Sequence, residues 1–134
     1  MHKLRETEQL PCDEPAIRLV TRRLADFFKV LSNARRVLIL EELGSGERDV
    51  SSLTNSLQVS QSTISQQLAV LRAHKLINER REGRTVLYSL RTPELAAWIV
   101  DGLKFAGLES KDEEGFLLAI ERVQTAWRSS NGEG

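Results

Sequence analysis

The sequence between residues 59 and 90, VSQSTISQQLAVLRAHKLINERREGRTVLYSL, contains the pattern of a short helix followed by that of a β-hairpin. In the first half, apolar residues recur at i, i+4 and i+7, which predicts a helix beginning at Ser60 with one stripe formed by Ile64, Leu68 and Leu71. In the second half, Ile77 begins one strand and a tight turn at Glu82-Gly83 leads into another, built by Val86, Leu87, Tyr88 and Leu90.

The outward face of this helix is polar but nearly uncharged, which is unusual for a surface that only has to stay soluble. Its side chains are Gln61, Ser62, Ser65, Gln66, Ala69 and Arg72. Amides and hydroxyls both donate and accept hydrogen bonds, as contacts to base edges in a major groove require. The hairpin tip, in turn, carries Arg80, Arg81 and Arg84. A polar helix followed by an arginine-tipped hairpin is the layout of a winged helix-turn-helix, so the pattern predicts a DNA-reading element.

The charge distribution supports this interpretation although the net charge of the 134-residue chain is zero. Residues 60–91 hold six basic and two acidic side chains, a net charge of +4. The first fourteen residues have a net charge of −2, and those from 109 onward have −3. A basic middle between acidic ends is suited to phosphate, whereas a merely solvated charged surface is the alternative explanation.

The remaining patterns predict a mainly α fold with a small β-hairpin, about five core helices and an extra C-terminal helix. A helix starts near Asp13 and Pro15, a second spans Ala34 to Leu43 after capping residues at Ser32-Asn33, and Asp49 caps a third. Thr92-Pro93-Glu94 starts the helix after the hairpin, in which Gly102 would allow close approach. The predicted organisation is a flexible arm over 1–12, one domain over 13–108, a helix over 109–128 and a tail over 129–134.

The first helix and the last two are more apolar than one small helix-turn-helix core requires. We expect these faces to form a subunit interface in a homodimer, because a two-fold dimer also lengthens the DNA site that a small domain can contact. The alternative is that they fold back on their own core. Trp98, Trp127, Phe105 and Phe116 present a related choice between a pocket for an organic inducer and ordinary packing, of which packing is the simpler.

Cys12 is the only cysteine, so an intrachain disulfide is excluded and a reduced, cytoplasmic setting is the simplest inference. The N-terminal sequence lacks the apolar core of a signal peptide, and no apolar run is long enough for a membrane span. Cys12 is interpreted as an incidental thiol; the alternatives are an oxidised pair with its symmetry mate, or a site shared with His2. His74, near the end of the polar helix, is better explained as a capping residue than as a sensor.

No catalytic constellation emerges from the sequence. Acidic residues cluster at Glu41-Glu42, Glu47 and Asp49, and again at Asp112-Glu113-Glu114. These carboxylates have no nucleophile, phosphate-binding glycine loop or histidine near them, so helix capping and solvated surface explain them better than acid–base chemistry. We therefore predict a protein that is not an enzyme and needs no cofactor.

The stretch from Phe27 to about Phe105 resembles the ArsR/SmtB family of bacterial winged helix-turn-helix repressors. Three segments carry the resemblance, in the family's order and spacing: LSNARRVLILEEL (31–43), VSSLTNSLQVSQSTISQQLAVLRAHKLI (50–77) and REGRTVLYSL (81–90). The resemblance implies a homodimer built on the first helix and the helix after the wing, which binds imperfect palindromes in double-stranded promoter DNA.

The resemblance also implies which residues meet DNA. The helix Ser60–His74 would enter the major groove, and the wing arginines Arg81 and Arg84 would lie near the minor groove or backbone. Arg72 and Lys75 would add phosphate contacts. The positions to test on the helix are Ser60, Gln61, Ser62, Thr63, Ser65, Gln66 and Gln67.

The family's metal-sensing residues do not carry over to this chain. Where thiolate-type members have a Cys-Val-Cys run, this sequence has Asp49, Val50 and Ser51, and oxygens cannot replace thiolates for soft metals. The positions of the zinc-type site fall on Thr92, Glu94, Phe105 and Leu108, of which only Glu94 could bind a metal. We therefore predict neither of the family's two common metal sites.

Together these observations predict a homodimeric repressor that occupies a palindromic operator and has no contact with a membrane. A winged-helix protein-interaction module without specific DNA binding is the alternative. The uncharged polar face at Gln61–Gln66 and the basic wing argue against it, because protein interfaces more often present apolar or aromatic anchors.

Overall fold

The computed structural model describes residues 15–105 and 114–122, whose elements follow the predicted order. Helices α1 (Pro15–Leu31), α2 (Ala34–Leu43), α3 (Val50–Leu57) and α4 (Gln61–Ala73) precede the hairpin of β1 (Ile77–Glu82) and β2 (Thr85–Leu90). Helix α5 (Leu95–Asp101) follows, with a 3₁₀ turn over Gly102–Phe105, and residues 114–122 form a further helix, α6. The predicted fold class, mainly α with one small hairpin, is confirmed. The predicted arm over 1–12 and tail over 129–134 lie outside the described residues, as do residues 106–113 and 123–128.

Short polar side chains cap the three central helices at the positions that the sequence predicts. The Asn33 side chain accepts a hydrogen bond from the backbone N–H of Arg36 (3.2 Å) at the start of α2. Asp49 Oδ1 accepts one from Ser52 N (2.7 Å) at the start of α3. Each cap satisfies a backbone donor that the first helical turn leaves without a partner, and thereby fixes where the helix begins.

The core lies where α2, α3 and α4 meet. Its most deeply buried side chains are Ile39 and Leu40 from α2, Leu53 from α3, and Ile64, Leu68 and Leu71 from α4. Because the whole apolar stripe of α4 is buried, the polar side of this helix has to face outward. The orientation of the predicted DNA-reading face thus follows from burial of Ile64, Leu68 and Leu71.

Among the described residues, two that are not glycine adopt the left-handed backbone conformation that usually favours glycine. Gln58 (φ 55°) ends α3 and makes the turn into α4. Lys75 (φ 59°) follows α4, where Leu76 N donates to Leu71 O (3.0 Å) and Lys75 N donates to Arg72 O (2.9 Å). This pair of hydrogen bonds is a Schellman motif, which ends the helix and aims the chain into β1.

The hairpin turn lies one residue later than predicted. Glu82 pairs with Thr85, so the two connecting residues are Gly83 and Arg84 rather than Glu82 and Gly83. Gly83 has a φ of 64°, which supplies the positive angle that a two-residue hairpin turn needs at its first central position. A third backbone segment joins the hairpin, because Arg48 and Tyr88 exchange two hydrogen bonds, Arg48 N to Tyr88 O (3.0 Å) and Tyr88 N to Arg48 O (2.8 Å).

Two details around α5 differ from the sequence-based expectation. The helix begins at Leu95, and Glu94 at its N-cap makes no side-chain hydrogen bond; Thr92 contributes only its carbonyl, which accepts from Leu95 N at 3.0 Å. Gly102 shows no close packing within the described residues either, since a Cβ placed there would meet none of their atoms within 4 Å.

A large apolar surface remains outside the core. On α1 only Val30 is buried, while Leu19, Val20, Leu24 and Phe28 each keep half or more of their surface exposed. On α6 Ile120 joins the core, whereas Phe116, Leu117 and Leu118 stay exposed. Within residues 15–105 and 114–122, no helix has the length and apolar character needed to cross a membrane. These faces on α1 and α6 are amphipathic surfaces without a partner inside the described chain.

Candidate nucleic-acid interface

The N-terminal half of α4 presents the predicted polar side chains in one exposed group. Ser60 caps the helix, and its Oγ accepts from Thr63 N (3.3 Å) and donates to Thr63 Oγ1 (2.9 Å). The side chains beyond this cap are exposed and form no hydrogen bond across the fold among the described residues: Gln61, Ser62, Ser65 and Gln66. The N-terminal residues of a recognition helix are those that meet base edges, so this group has both the place and the chemistry for base contacts.

Gln67 differs from its neighbours because it is half-buried and already engaged. Its Oε1 accepts a hydrogen bond from Arg36 Nη1 at 3.1 Å, and Arg36 Nε also donates to Val30 O at 2.7 Å. Arg36 therefore ties α4 to the junction between α1 and α2. The contact occupies one acceptor site of the Gln67 amide oxygen and holds this side chain against Arg36, and nothing in the local sequence pattern signals the contribution of Arg36.

The three arginines of the wing have different surroundings. Arg80 is held by Glu47, with Nε and Nη2 at 2.6 and 2.9 Å from the two carboxylate oxygens, and Nη2 also lies 3.1 Å from Glu82. Arg81 and Arg84 are exposed and form no ion pair within the described residues. The hydrogen bonds from Arg80 lower the pKa of the Glu47 carboxyl and, reciprocally, raise the pKa of the guanidinium.

A second ion pair joins α4 to the wing. Arg72 Nη1 donates to Glu79 Oε1 at 2.5 Å, across a small cavity of about 130 Å³ between the helix and the hairpin. Lys75, at the left-handed position after α4, is exposed and makes no side-chain contact of this kind among the described residues. The cations at this surface therefore fall into two groups: Arg72 and Arg80 are paired, whereas Lys75, Arg81 and Arg84 are exposed and form no ion pair in the described part of the chain.

The capping interpretation of His74 is confirmed. His74 is the C-cap of α4, and its Nδ1 lies 3.0 Å from the carbonyl oxygen of Val70, a distance that a protonated Nδ1 can bridge as a donor. Val70 O also accepts the backbone N–H of His74 (3.1 Å), so the ring nitrogen adds a second hydrogen bond to this carbonyl of the last helical turn.

The acidic patch after α2 is structural, as expected from its lack of catalytic neighbours. Asp49 caps α3, and Glu42 Oε1 accepts from Ser56 Oγ at 2.6 Å and lies 3.9 Å from Arg48 Nε. Glu41 is half-buried, and burial raises the pKa of its carboxyl. These carboxylates connect the helix-turn-helix to its surroundings through a helix cap, a hydrogen bond and an ion pair.

The aromatic residues that the structure describes do not converge on one pocket. Trp98 packs against Phe27, with ring centroids 5.6 Å apart, beside an open apolar cavity of about 370 Å³. Phe105 is 90% exposed and Phe116 lies on α6, so neither lines this cavity, while Trp127 lies outside the described residues. Trp98 thus packs on Phe27, in line with the simpler interpretation, and the inducer pocket stays a prediction.

The positions of the family's metal sites have other roles here. Asp49 accepts a hydrogen bond as a helix cap, Val50 packs against the core, and Phe105 is exposed. Across the two described ranges, no three His, Cys, Asp or Glu side chains lie together as metal ligands would. His2, Cys12 and Leu108 lie outside those ranges.

Two short helices joined by a tight turn, a hairpin wing and a polar recognition face define a winged helix-turn-helix of the DNA-binding class. Residues 33–79 match the family model described as "Bacterial regulatory protein, arsR family". A transcriptional repressor SmtB homologue from Synechocystis is 32% identical over 100 residues, which are 63% of this chain and 76% of that protein. The chain belongs to the arsR family of bacterial regulatory proteins.

Two further relatives bear on regulation and assembly. The transcriptional activator HlyU of Vibrio cholerae is 44% identical over 71 residues, which are 53% of this chain and 66% of HlyU. The solution structure of Mb0332 from Mycobacterium bovis, described as a homodimeric winged helix-turn-helix DNA-binding domain, is 26% identical with a TM-score of 0.62. That match covers 75% of this chain and 94% of the Mb0332 fragment.

Proposed function

We propose that this protein is a homodimeric transcriptional repressor that binds a palindromic operator through α4 and the wing. The observation that supports this most strongly is the exposed, nearly uncharged polar face of α4, set by complete burial of the opposite face, beside the exposed wing cations Arg81 and Arg84. Such a surface combines hydrogen-bonding groups for base edges with charges for the backbone.

The two groups of residues would contribute in different ways. Gln61, Ser62, Ser65 and Gln66 would supply sequence preference, with Ser60 and Thr63 fixing the start of the helix. Lys75, Arg81 and Arg84 would bind phosphates, so affinity should fall steeply as salt displaces the protein from the backbone. Arg72 would join the second group only if it turned away from Glu79.

The exposed apolar faces of α1 and α6 support the homodimer. Leu19, Val20, Leu24 and Phe28 would be covered by a second copy, as in the relative described as homodimeric. A two-fold axis would place two α4 helices in major-groove segments about 34 Å apart on one side of the duplex. Occupying such a site over a promoter in the cytoplasm would block transcription sterically, with no enzymatic step.

The first experiment is selection of bound duplexes from a random-sequence library, with and without reductant. We expect an enriched palindrome whose half-sites are about one helical turn apart. The absence of any enriched sequence would instead favour the protein-interaction module. If oxidation abolishes binding in the wild type but not in Cys12→Ser, the cysteine is a redox sensor.

Two variants separate base from backbone contacts on the selected sequence and a scrambled duplex. Gln66→Ala should weaken binding to the selected sequence by about 5- to 100-fold and leave the scrambled duplex nearly unaffected, because a base contact is lost. Arg84→Ala should weaken both and reduce the salt slope by about 0.9. Equal loss on both duplexes for Gln66→Ala would contradict its proposed role.

A further inference from the structure

Glu47 binds a wing arginine in the way that a DNA phosphate would. Its two oxygens accept hydrogen bonds from Arg80 Nε (2.6 Å) and Nη2 (2.9 Å), a bidentate arrangement that uses one edge of the guanidinium. Glu82 Oε2 lies 3.1 Å from the same Nη2. Arginine recognises carboxylate and phosphate through the same fork of donors, so these carboxylates compete directly with the DNA backbone for Arg80.

The wing has another attachment that does not depend on this ion pair. The backbone groups of Arg48 and Tyr88 exchange two hydrogen bonds, at 3.0 and 2.8 Å, and hold β2 against the loop that carries Glu47. Arg80 and Glu47 are also largely exposed, with 53% and 37% of their side-chain surfaces accessible. Exposed ion pairs contribute little to stability, so the Glu47 carboxylate is not required to anchor the wing.

The neighbouring wing arginines differ from Arg80 in having no carboxylate partner within the described residues. Successive side chains of a strand point to opposite faces, which places Arg80 and Arg81 of β1 on different sides of the hairpin. Arg81, like Arg84 in the turn, has no carboxylate partner in the part of the chain that the structure describes. One of three wing cations is therefore neutralised within the protein, while two remain available for DNA.

We propose that Glu47 is a specificity-setting residue, which withholds Arg80 from DNA phosphates and so limits sequence-independent affinity. Phosphate contacts strengthen binding to every sequence alike, whereas base contacts on α4 favour one. Pairing Arg80 with Glu47 therefore lowers the affinity for non-specific DNA without reducing the preference for the specific sequence. This inference rests on the proposed DNA-binding function and assigns a role to a residue outside both the recognition helix and the wing.

The test measures binding of the full-length protein to a 30-base-pair random-sequence duplex over a series of NaCl concentrations. Glu47→Gln should bind more tightly than the wild type, with a log–log salt slope steeper by about 0.9 because one more phosphate is contacted. That slope corresponds to an additional loss of about 3.5-fold in affinity between 50 and 200 mM salt. Thermal unfolding of each variant checks that the fold is retained.

Three comparison variants isolate the contribution of Arg80. The double variant Glu47→Gln/Arg80→Met should lose the gain, and Arg80→Met alone should match the wild type. Glu94→Gln removes one negative charge from an exposed residue of the α5 N-cap and controls for net charge; it should leave the slope unchanged.

The outcomes separate this inference from the proposed function. Wild-type protein that binds no duplex at 50 mM salt would overturn the DNA-binding function itself. Wild-type binding with an unchanged slope in Glu47→Gln would overturn only the role of Glu47. A gain that persists in the double variant, or weaker binding by a folded Glu47→Gln, would also overturn it, since the first indicates a general charge effect and the second a role in orienting the wing.

Discussion

Helices α4 and α1 are both amphipathic, but their apolar faces are buried to different extents. On α4 the stripe of Ile64, Leu68 and Leu71 is 2% exposed or less. On α1, by contrast, Leu24 is 50% exposed and Phe28 54%. The apolar face of α4 is therefore buried within one chain, whereas the apolar face of α1 remains exposed to solvent in a single chain.

This contrast suggests that the two helices have different roles, α4 in contacting DNA and α1 in contacting a second copy of the chain. The face that meets DNA has to be fixed before binding, and complete burial of its opposite side achieves this. The face that we assign to the dimer stays apolar and open, because its contacts would come from a second copy. Separate substitutions in the two apolar stripes can test whether these roles are correctly assigned.

The largest effect is expected from truncating the buried stripe. Leu71→Ala removes a fully buried side chain and should reduce the free energy of unfolding by about 2–5 kcal/mol. Leu24→Ala is the same change on the half-exposed face of α1. At low protein concentration it should reduce the free energy of unfolding clearly less than Leu71→Ala does. Urea denaturation of both variants at equal concentration measures the difference, and equal losses would show that α1 belongs to the same core as α4.

An intermediate effect is expected from a charge on the open face. Leu24→Glu should raise the dissociation constant of the proposed dimer by at least about 30-fold, because a buried interface does not tolerate an unpaired carboxylate. Sedimentation velocity over a dilution series provides the measurement. Arg22→Glu introduces the same residue on another side of α1 and should leave the assembly intact; dissociation by both variants would argue against an interface centred on Leu24.

The smallest effects are expected at the two left-handed positions that flank α4. Gln58→Gly and Lys75→Gly should each stabilise the protein by about 1 kcal/mol, because glycine adopts a positive φ without the steric cost of a Cβ. Thermal or urea unfolding measures this gain.

Lys75→Ala is the matched control for Lys75→Gly, since it removes the same charge but retains a Cβ. Both should weaken DNA binding alike, and only the glycine variant should be more stable. A glycine variant no more stable than the alanine one would show that the backbone at Lys75 is unstrained.

The elements of the fold could be predicted from the sequence because local chemistry specifies them. Asn33, Asp49 and Ser60 cap their helices as predicted, and Ile64, Leu68 and Leu71 lie on the buried stripe that their spacing indicates. The hairpin turn was misplaced by one residue, since Glu82-Gly83 and Gly83-Arg84 are both plausible turns and only strand pairing distinguishes them.

The surface around the recognition helix could not be predicted in the same way. Arg36 lies 31 residues from Gln67, and Glu47 lies 33 residues from Arg80, yet each pair is joined by hydrogen bonds. Such contacts depend on how α2 and its following loop pack against α4 and the wing, and side-chain type alone does not reveal that geometry. Helical periodicity and caps thus specified the helices and the polar face of α4, because those signals act over a few residues. Which arginines are paired and which remain available for DNA was decided only when packing brought distant carboxylates and amides beside them.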